Sequence, residues 1–179
     1  QIADKLLGEA RAGNLYATIA RAADFYGPFA DTTSVPYLLI IKRLAAGKSA
    51  QVLVDSRRKH SYTFTGDCGK ALYLLSQSDD TNGTVWHLPT ARPAPTSEEF
   101  VQLVAQQLEV KPKIAVLRKW MVKLAGIFDS QIGELYEMLY QNEFDYEFDS
   151  SRFESAFDFQ PTPYADGIAT TLRHFKLIH

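Results

Sequence analysis

The residues able to do chemistry in this chain gather where one apolar run ends. Leu15 to Ala20 is strand-prone, and Arg21-Ala22-Ala23-Asp24-Phe25-Tyr26-Gly27-Pro28 follows it directly. In an open α/β sheet, ligands lie beyond the carboxyl ends of the strands. A charged pair, an aromatic pair and a Gly-Pro stop at such a place read as a ligand-facing edge. A second cluster, Arg57-Arg58-Lys59-His60, could meet an anionic group or form a solvated turn between strands. Nucleophilic chemistry finds little support, because the single cysteine, Cys68, has no evident activator. The four histidines share no H-x-x-x-H spacing, so no metal site is expected. Gly66-x-x-Gly69 is too weak a match to a phosphate-cradling loop and reads as a helix entry after a strand.

Alternating strands and helices must position these residues. Ile2, Leu6, Leu7 and Ala10 recur at helical spacing up to Gly13-Asn14. A buried strand is expected over Leu15 to Ala23. Ser34 can cap a helix that runs to Gly47, with Pro36 in its first turn. Short strands follow at Gln51 to Asp55 and Ser61 to Thr65. Asp67 reads as the cap of a helix ending near Ser78. A strand at Thr84 to Leu88 leads into a proline-rich loop that holds Arg92. Thr96 with Glu99 forms a capping box for a helix to about Leu108. A strand at Lys113 to Leu117 precedes a long helix over Trp120 to Tyr140, broken near Gly126 or Gly133. Phe144 to Phe159 is aromatic and acidic. Tyr164 to Phe175 is a final amphipathic helix. The class is therefore α/β or α+β.

Composition bounds the partners. A net charge of −2, with basic residues scattered, leaves no electrostatic footprint for nucleic acid. One cysteine excludes a disulfide framework. No apolar run is long enough for a membrane span and no signal peptide opens the chain, so the cytoplasm is the expected compartment. The opening at Gln1, inside a helical pattern and without Met, predicts a piece of a longer protein.

Several segments now fall into one order. Arg21 to Pro28 resembles the R-x-x-N-x-Y-G-P segment of extended short-chain dehydrogenases, the NAD-dependent epimerase/dehydratase family. Tyr62-Thr-Phe-Thr-Gly-Asp67-Cys-Gly-Lys-Ala71 resembles that family's strand and D-x-x-x-A helix. Thr84 to Leu88 and Thr96 to Phe100 are similar to the strand and helix that come next. Asp149 to Arg152, Phe157 to Pro161 and Asp166 to Ile168 resemble its closing signature. The resemblance covers the family's C-terminal half. The Gly-rich cofactor turn is lacking, and none of the nine tyrosines has a lysine four residues later, so the Tyr-x-x-x-Lys pair is lacking as well.

The resemblance implies an α/β fold, a partial Rossmann-like sheet joined to a mainly helical C-terminal substrate-binding part. Residues 1–28 and 61–90 would be the remnant of the nucleotide domain, and 29–60 with 91–179 the substrate part. NAD or NADP is the implied cofactor, with Ala22 and Ala23 against the nicotinamide. Asp24, Tyr26, Arg58, His60 and Arg92 are the implied substrate-binding residues, and no catalytic residue or metal ligand is expected here. The substrate would be a small hydroxylated molecule such as a sugar or sugar nucleotide, and a homo-oligomer is left open. Asp24 stands where the family has Asn, and His60 where many members have a phosphate-binding Arg. Asp24 would repel a diphosphate, while a hydroxyl-rich ligand without phosphate would suit it better. The alternative is a non-catalytic module whose Phe144 to Phe159 stretch binds another protein.

Overall fold

The computed structural model describes residues 2–32, 34–126, 133 and 136–178. Helix α1 (Ile2–Arg11) leads into strand β1 (Ile19–Arg21), which pairs in parallel with β5 (Val85–His87), Ile19 opposite Val85. The chain then shifts at Ala22-Ala23 and continues as β2 (Asp24–Tyr26), now paired in parallel with β4 (Tyr62–Phe64). One extended stretch therefore serves two ladders. Helix α3 (Thr65–Ser76) carries the chain from β4 to β5. A third parallel ladder joins β3 (Ala50–Leu53) to β6 (Ile114–Leu117).

The first strand is shorter than its apolar run. The backbone before Ile19 is satisfied elsewhere: the Ala17 N–H donates to Asn82 Oδ1 at 2.9 Å, and its carbonyl accepts from Gly83 N–H at 2.8 Å. A turn has replaced the ladder there, so hydrophobic residues alone did not extend it.

The helix expected after Ser34 opens with an unusual turn. Ser34 Oγ accepts from the Tyr37 N–H at 3.1 Å and donates to the Phe25 carbonyl at 2.6 Å. A single π turn over Tyr37–Ile41 follows, continued by α2 (Lys42–Ala45). Such one-turn bulges often sit at functional sites, and this one supplies part of a cavity wall described below. Gly27 just after β2 has φ +135, a conformation open to glycine, and a Cβ there would meet Thr65 Oγ1.

Helix α4 (Ser97–Gln107) carries the capping box read from the sequence. Thr96 Oγ1 accepts from the Glu99 N–H at 3.1 Å, and Glu99 accepts from the Thr96 N–H at 2.7 Å. These hydrogen bonds hold the Glu99 carboxyl below its ordinary value. The folded value is the lower one, so the stabilisation is present above the unfolded value and is lost as pH falls through the folded one. Glu99→Gln is expected to flatten that acid loss in urea unfolding run between about pH 7 and about pH 3. The effect is under about 1 kcal/mol, because the carboxylate faces water. Equal acid sensitivity in both proteins would contradict this.

Asp67 does not cap α3, which begins at Thr65. Its carboxylate is buried and instead accepts from the Thr162 N–H at 2.7 Å and the Thr162 hydroxyl at 2.8 Å. The long helix expected over 120–140 is realised as α5 (Lys119–Gly126) and a 3-10 turn at Leu139–Asn142; most of the stretch between, with Phe128, lies outside the described residues. Helices α6 (Ser151–Phe157) and α7 (Tyr164–His174) close the chain.

Three apolar clusters form the core. The largest surrounds Tyr26, Phe100, Tyr164 and Ile168, and binds α4 and α7 to β2 and β4. A second packs Trp86 against Phe153 and Leu75, and a third joins Leu53, Val122 and Leu139.

Candidate functional site

A cavity of about 100 Å³ lies where β2, β3 and β4 meet the π turn. Its apolar wall includes Val35, Leu39 and Ile40, the last two presented by the π turn, with Met138 beside them. Its polar groups are Asp24, Gln51, His60, Tyr62, Ser97, Gln141 and Asn142. Asp24 opens β2 and Tyr62 opens β4, directly opposite in the ladder, which brings both side chains to the same end of the sheet.

Asp24 and His60, thirty-six residues apart, meet here. His60 Nε2 lies 2.9 Å from Asp24 Oδ2. A carboxylate only accepts, so Nε2–H is the donor. His60 is 3% exposed, and Nδ1 is buried without a hydrogen-bond partner. The ring sits 5.0 Å from the rings of both Tyr62 and Tyr146. The Asp24 side chain keeps 40% of its surface exposed.

The other cations named from the sequence do not reach this cavity. Residues 145–149 run alongside 59–61 as a parallel ribbon: the Tyr146 N–H donates to Lys59 O, and the Ser61 N–H donates to Tyr146 O. Side chains alternate along the ribbon as on any extended strand. Asp145 faces Arg58 at 3.8 Å, Glu147 faces Lys59 at 2.9 Å and Asp149 faces Arg92 at 3.4 Å. Arg92 also holds Glu154 at 2.8 Å, and Arg57 is paired with Asp55. On the opposite face Tyr146 packs on His60 and Phe148 stacks on His87.

This ribbon also alters the reading of Phe144 to Phe159 as a protein-binding surface. Phe153, Phe157 and Phe159 pack around Trp86 in the core. Phe144 is exposed, but the aromatic character of the stretch serves mainly internal packing.

Tyr26 belongs to the core and not to a ligand surface. It is 1% exposed, enclosed by Phe64, Phe100 and Tyr164, with its hydroxyl against Gly167. Burial raises its pKa far above the ordinary phenol value. A direct substrate contact does not fit that position. Ala22 and Ala23 lie at the shift between β1 and β2; the Ala23 N–H donates to Thr63 Oγ1 at 3.0 Å, and Ala22 packs against the Trp86 cluster. Arg21 is exposed and pairs with neither Asp24 nor Asp67.

No activated nucleophile emerges among the described residues. Burial pushes the Cys68 thiol up to about 12, where a thiolate is scarce. Burial likewise raises Tyr62, an effect that Ser97 moderates. Among the described residues no cluster of His, Cys, Asp or Glu could hold a metal ion, and no helix is long and apolar enough to cross a membrane. Gln51, Ser97 and the π-turn residues escaped sequence reasoning, since isolated polar residues carry no motif. The one local signal was the strand-end position of Gln51.

The cavity lies past the carboxyl end of β1, at the amino ends of β2 and β4, and parallel strands joined by a crossover helix have the pattern of a Rossmann-like α/β fold. It is the fold of about half of an NAD-dependent epimerase/dehydratase. The dTDP-glucose 4,6-dehydratase of Bacillus anthracis, in complex with NAD, matches with TM-score 0.72 at 14% identity, over 97% of this chain and 48% of that one. The UDP-glucose 4-epimerase of Thermus thermophilus, with NAD, gives 0.70 at 17% identity, over 97% and 50%. RMD from Pseudomonas aeruginosa, complexed with NADPH, gives 0.66 at 14%, over 97% and 52%. This chain thus spans about half the length of these enzymes. No family model matches the sequence, and no curated protein matches it.

Proposed function

We propose that this chain forms the C-terminal, substrate-side portion of an NAD(P)-dependent epimerase, dehydratase or reductase. Its substrate is a sugar, sugar nucleotide or similarly hydroxylated molecule. The observation that carries this reading is the fold likeness over 97% of the chain, combined with a polar cavity at the strand end that the Arg21 to Pro28 segment forms. By the family resemblance Ala22 and Ala23 would line the nicotinamide side, where their small side chains take up little room. The phosphate cradle and the Tyr-x-x-x-Lys pair are not among these 179 residues, so the cofactor's phosphates would be held elsewhere. The cofactor supplies hydride transfer when bound. This chain's own residues bind and orient the substrate, and the chain alone is inactive.

The pairing of strands supports the division into two parts. β1 with β5 and β2 with β4 fall within residues 1–28 and 61–90, while β3 with β6 falls within 29–60 and 91–179. Among the described residues no ladder between named strands crosses between the two sets, and the ribbon reaches across at the boundary, where the Ser61 N–H donates to Tyr146 O and the Phe148 N–H to Ser61 Oγ.

The test is a titration of the protein from its complete reading frame with NAD and with NADP, followed by intrinsic fluorescence and calorimetry. Saturable binding of at least one is expected. If neither binds, the reading is wrong.

A further inference from the structure

We infer that the outer edge of β1 is a docking edge for a parallel, apolar strand supplied by the cofactor-side half of the enzyme proposed above. This rests on the proposed function and names the surface and the chemistry by which the other half is held.

The first ground is the backbone. In the ladder of β1 with β5 the Ile19 N–H donates to the Thr84 carbonyl at 3.0 Å, and the Leu88 N–H donates to the Arg21 carbonyl at 2.7 Å. Ala17 turns the same way, toward Asn82 and Gly83. Alternate residues of a strand in a parallel sheet serve its two neighbours. The backbone N–H and carbonyl groups of Thr18 and Ala20 therefore point to the opposite edge. Among the described residues no strand pairs there, although Ala20 is half-buried. Half-buried backbone groups without partners form a template for one more strand.

The second ground is the absence of edge protection. Proteins guard a permanent edge with charge or proline. β6 has such guards, bracketed by Lys111-Pro112-Lys113 and Arg118-Lys119. At β2 the Phe25 carbonyl is taken up by the Ser34 hydroxyl. The run from Leu15 to Ala20 holds neither a charge nor a proline.

The third ground is an apolar trough of about 290 Å³ beside this edge, with Thr18 and Ala20 on the strand and Leu72 and Leu75 on α3. No charged residue lines it. Leu72 is 50% exposed there, and Leu15, Tyr16 and Tyr73 are exposed as well. Small residues on the strand and large ones on the helix leave room for the side chains of an incoming strand.

Every ladder between named strands here is parallel. A strand added to a parallel sheet has both faces covered, so a continuous apolar run suits it. The source follows from the fold relatives, whose chains are about twice the part that this protein matches. An open sheet grows at its free edge. A second copy fits less well, because a two-fold axis pairs one edge with itself in antiparallel sense.

Amide exchange in the protein from its complete reading frame reads this edge residue by residue. The Thr18 and Ala20 amides are expected to exchange as slowly as those of Ile19 and Arg21, roughly a hundredfold below the unprotected rate. Dilution by about tenfold should leave that protection unchanged. Leu72→Asp puts a charge in the trough at a position already open to water. It is expected to speed exchange at Ala20 by about tenfold and to leave Ile19 as slow as before. The wild-type measurement stands even if this variant fails to fold. Fast exchange at Ala20 beside slow exchange at Ile19 and Arg21 would overturn the inference, since the edge would then be open. Protection that fades on dilution would overturn it too, by assigning the edge to a second copy. A folded Leu72→Asp protein with Ala20 still fully protected also counts against it. Protection at Ala20 with neither NAD nor NADP bound would sink the enzyme reading and leave a docked edge standing. Cofactor binding with Ala20 unprotected would do the reverse.

Discussion

Phe100→Ala is expected to destabilise the protein by about 3–5 kcal/mol and to lower its Tm by roughly 10 °C. Phe100 is fully buried on α4, and its ring touches three others: Tyr62 at 4.5 Å, Tyr26 at 5.6 Å and Tyr164 at 6.3 Å between centroids. Those rings belong to β4, β2 and α7, so one side chain ties a helix to two paired strands and to the closing helix. Removing it leaves a void between elements that cannot all move inward together. The cavity contribution then adds to the lost transfer energy. Phe100→Leu, which keeps most of the volume, should recover more than half of the loss. Chemical denaturation of the three proteins side by side checks this. A loss below about 1.5 kcal/mol for alanine would mean that the cluster collapses around the gap.

Asp67→Ala should cost about 2–4 kcal/mol, by another route. Its carboxylate accepts two hydrogen bonds from Thr162 across 95 residues of sequence, while 1% exposed. Hydrogen bonds to a buried charge are worth more than neutral ones, and the partner amide left behind loses its acceptor. Asp67 also lies in the first turn of α3, where a negative charge suits the helix dipole. Asp67→Asn keeps one acceptor and is expected to lose less. Amide exchange separates this from a general weakening. It should accelerate first around Thr162 and the start of α7, ahead of α4. Uniform acceleration would refute a local tether.

Asp67 also marks what sequence can and cannot tell. Its position after a short strand and before an apolar helix has the pattern of a cap, because capping is a local event. Thr96 and Glu99 had that pattern too, and there both partners lie within three residues, so the reading held in full. The partner of Asp67 is far away in sequence, and only the fold brings it near. The same limit applies at the candidate site. Asp24 and His60 both stood out singly, one by its strand-end position and one within a basic cluster. Their pairing needed the parallel register of β2 with β4. The basic cluster itself predicted solvent or an anion, yet His60 became buried because the Tyr146 ring covers it. Asp145 to Asp149 shows acid and aromatic residues in strict alternation, which foretells an extended ribbon but not the neighbour it lies on. Gln51 and Ser97 remained silent, since a lone amide or hydroxyl acquires meaning through what surrounds it.

The ribbon has a further consequence for competition among anions. Its three carboxylates are tethered to the cations they meet, and the backbone ladder to residues 59–61 fixes their distance. Even short flexible tethers give effective concentrations in the millimolar range, and a tether held in register gives no less. Each pair, being exposed, is worth little by itself. A free phosphate or carboxylate in solution must nonetheless outbid a ligand that is never diluted away. At Arg58, Lys59 and Arg92 the protein has thereby set its own threshold for occupancy by an outside anion.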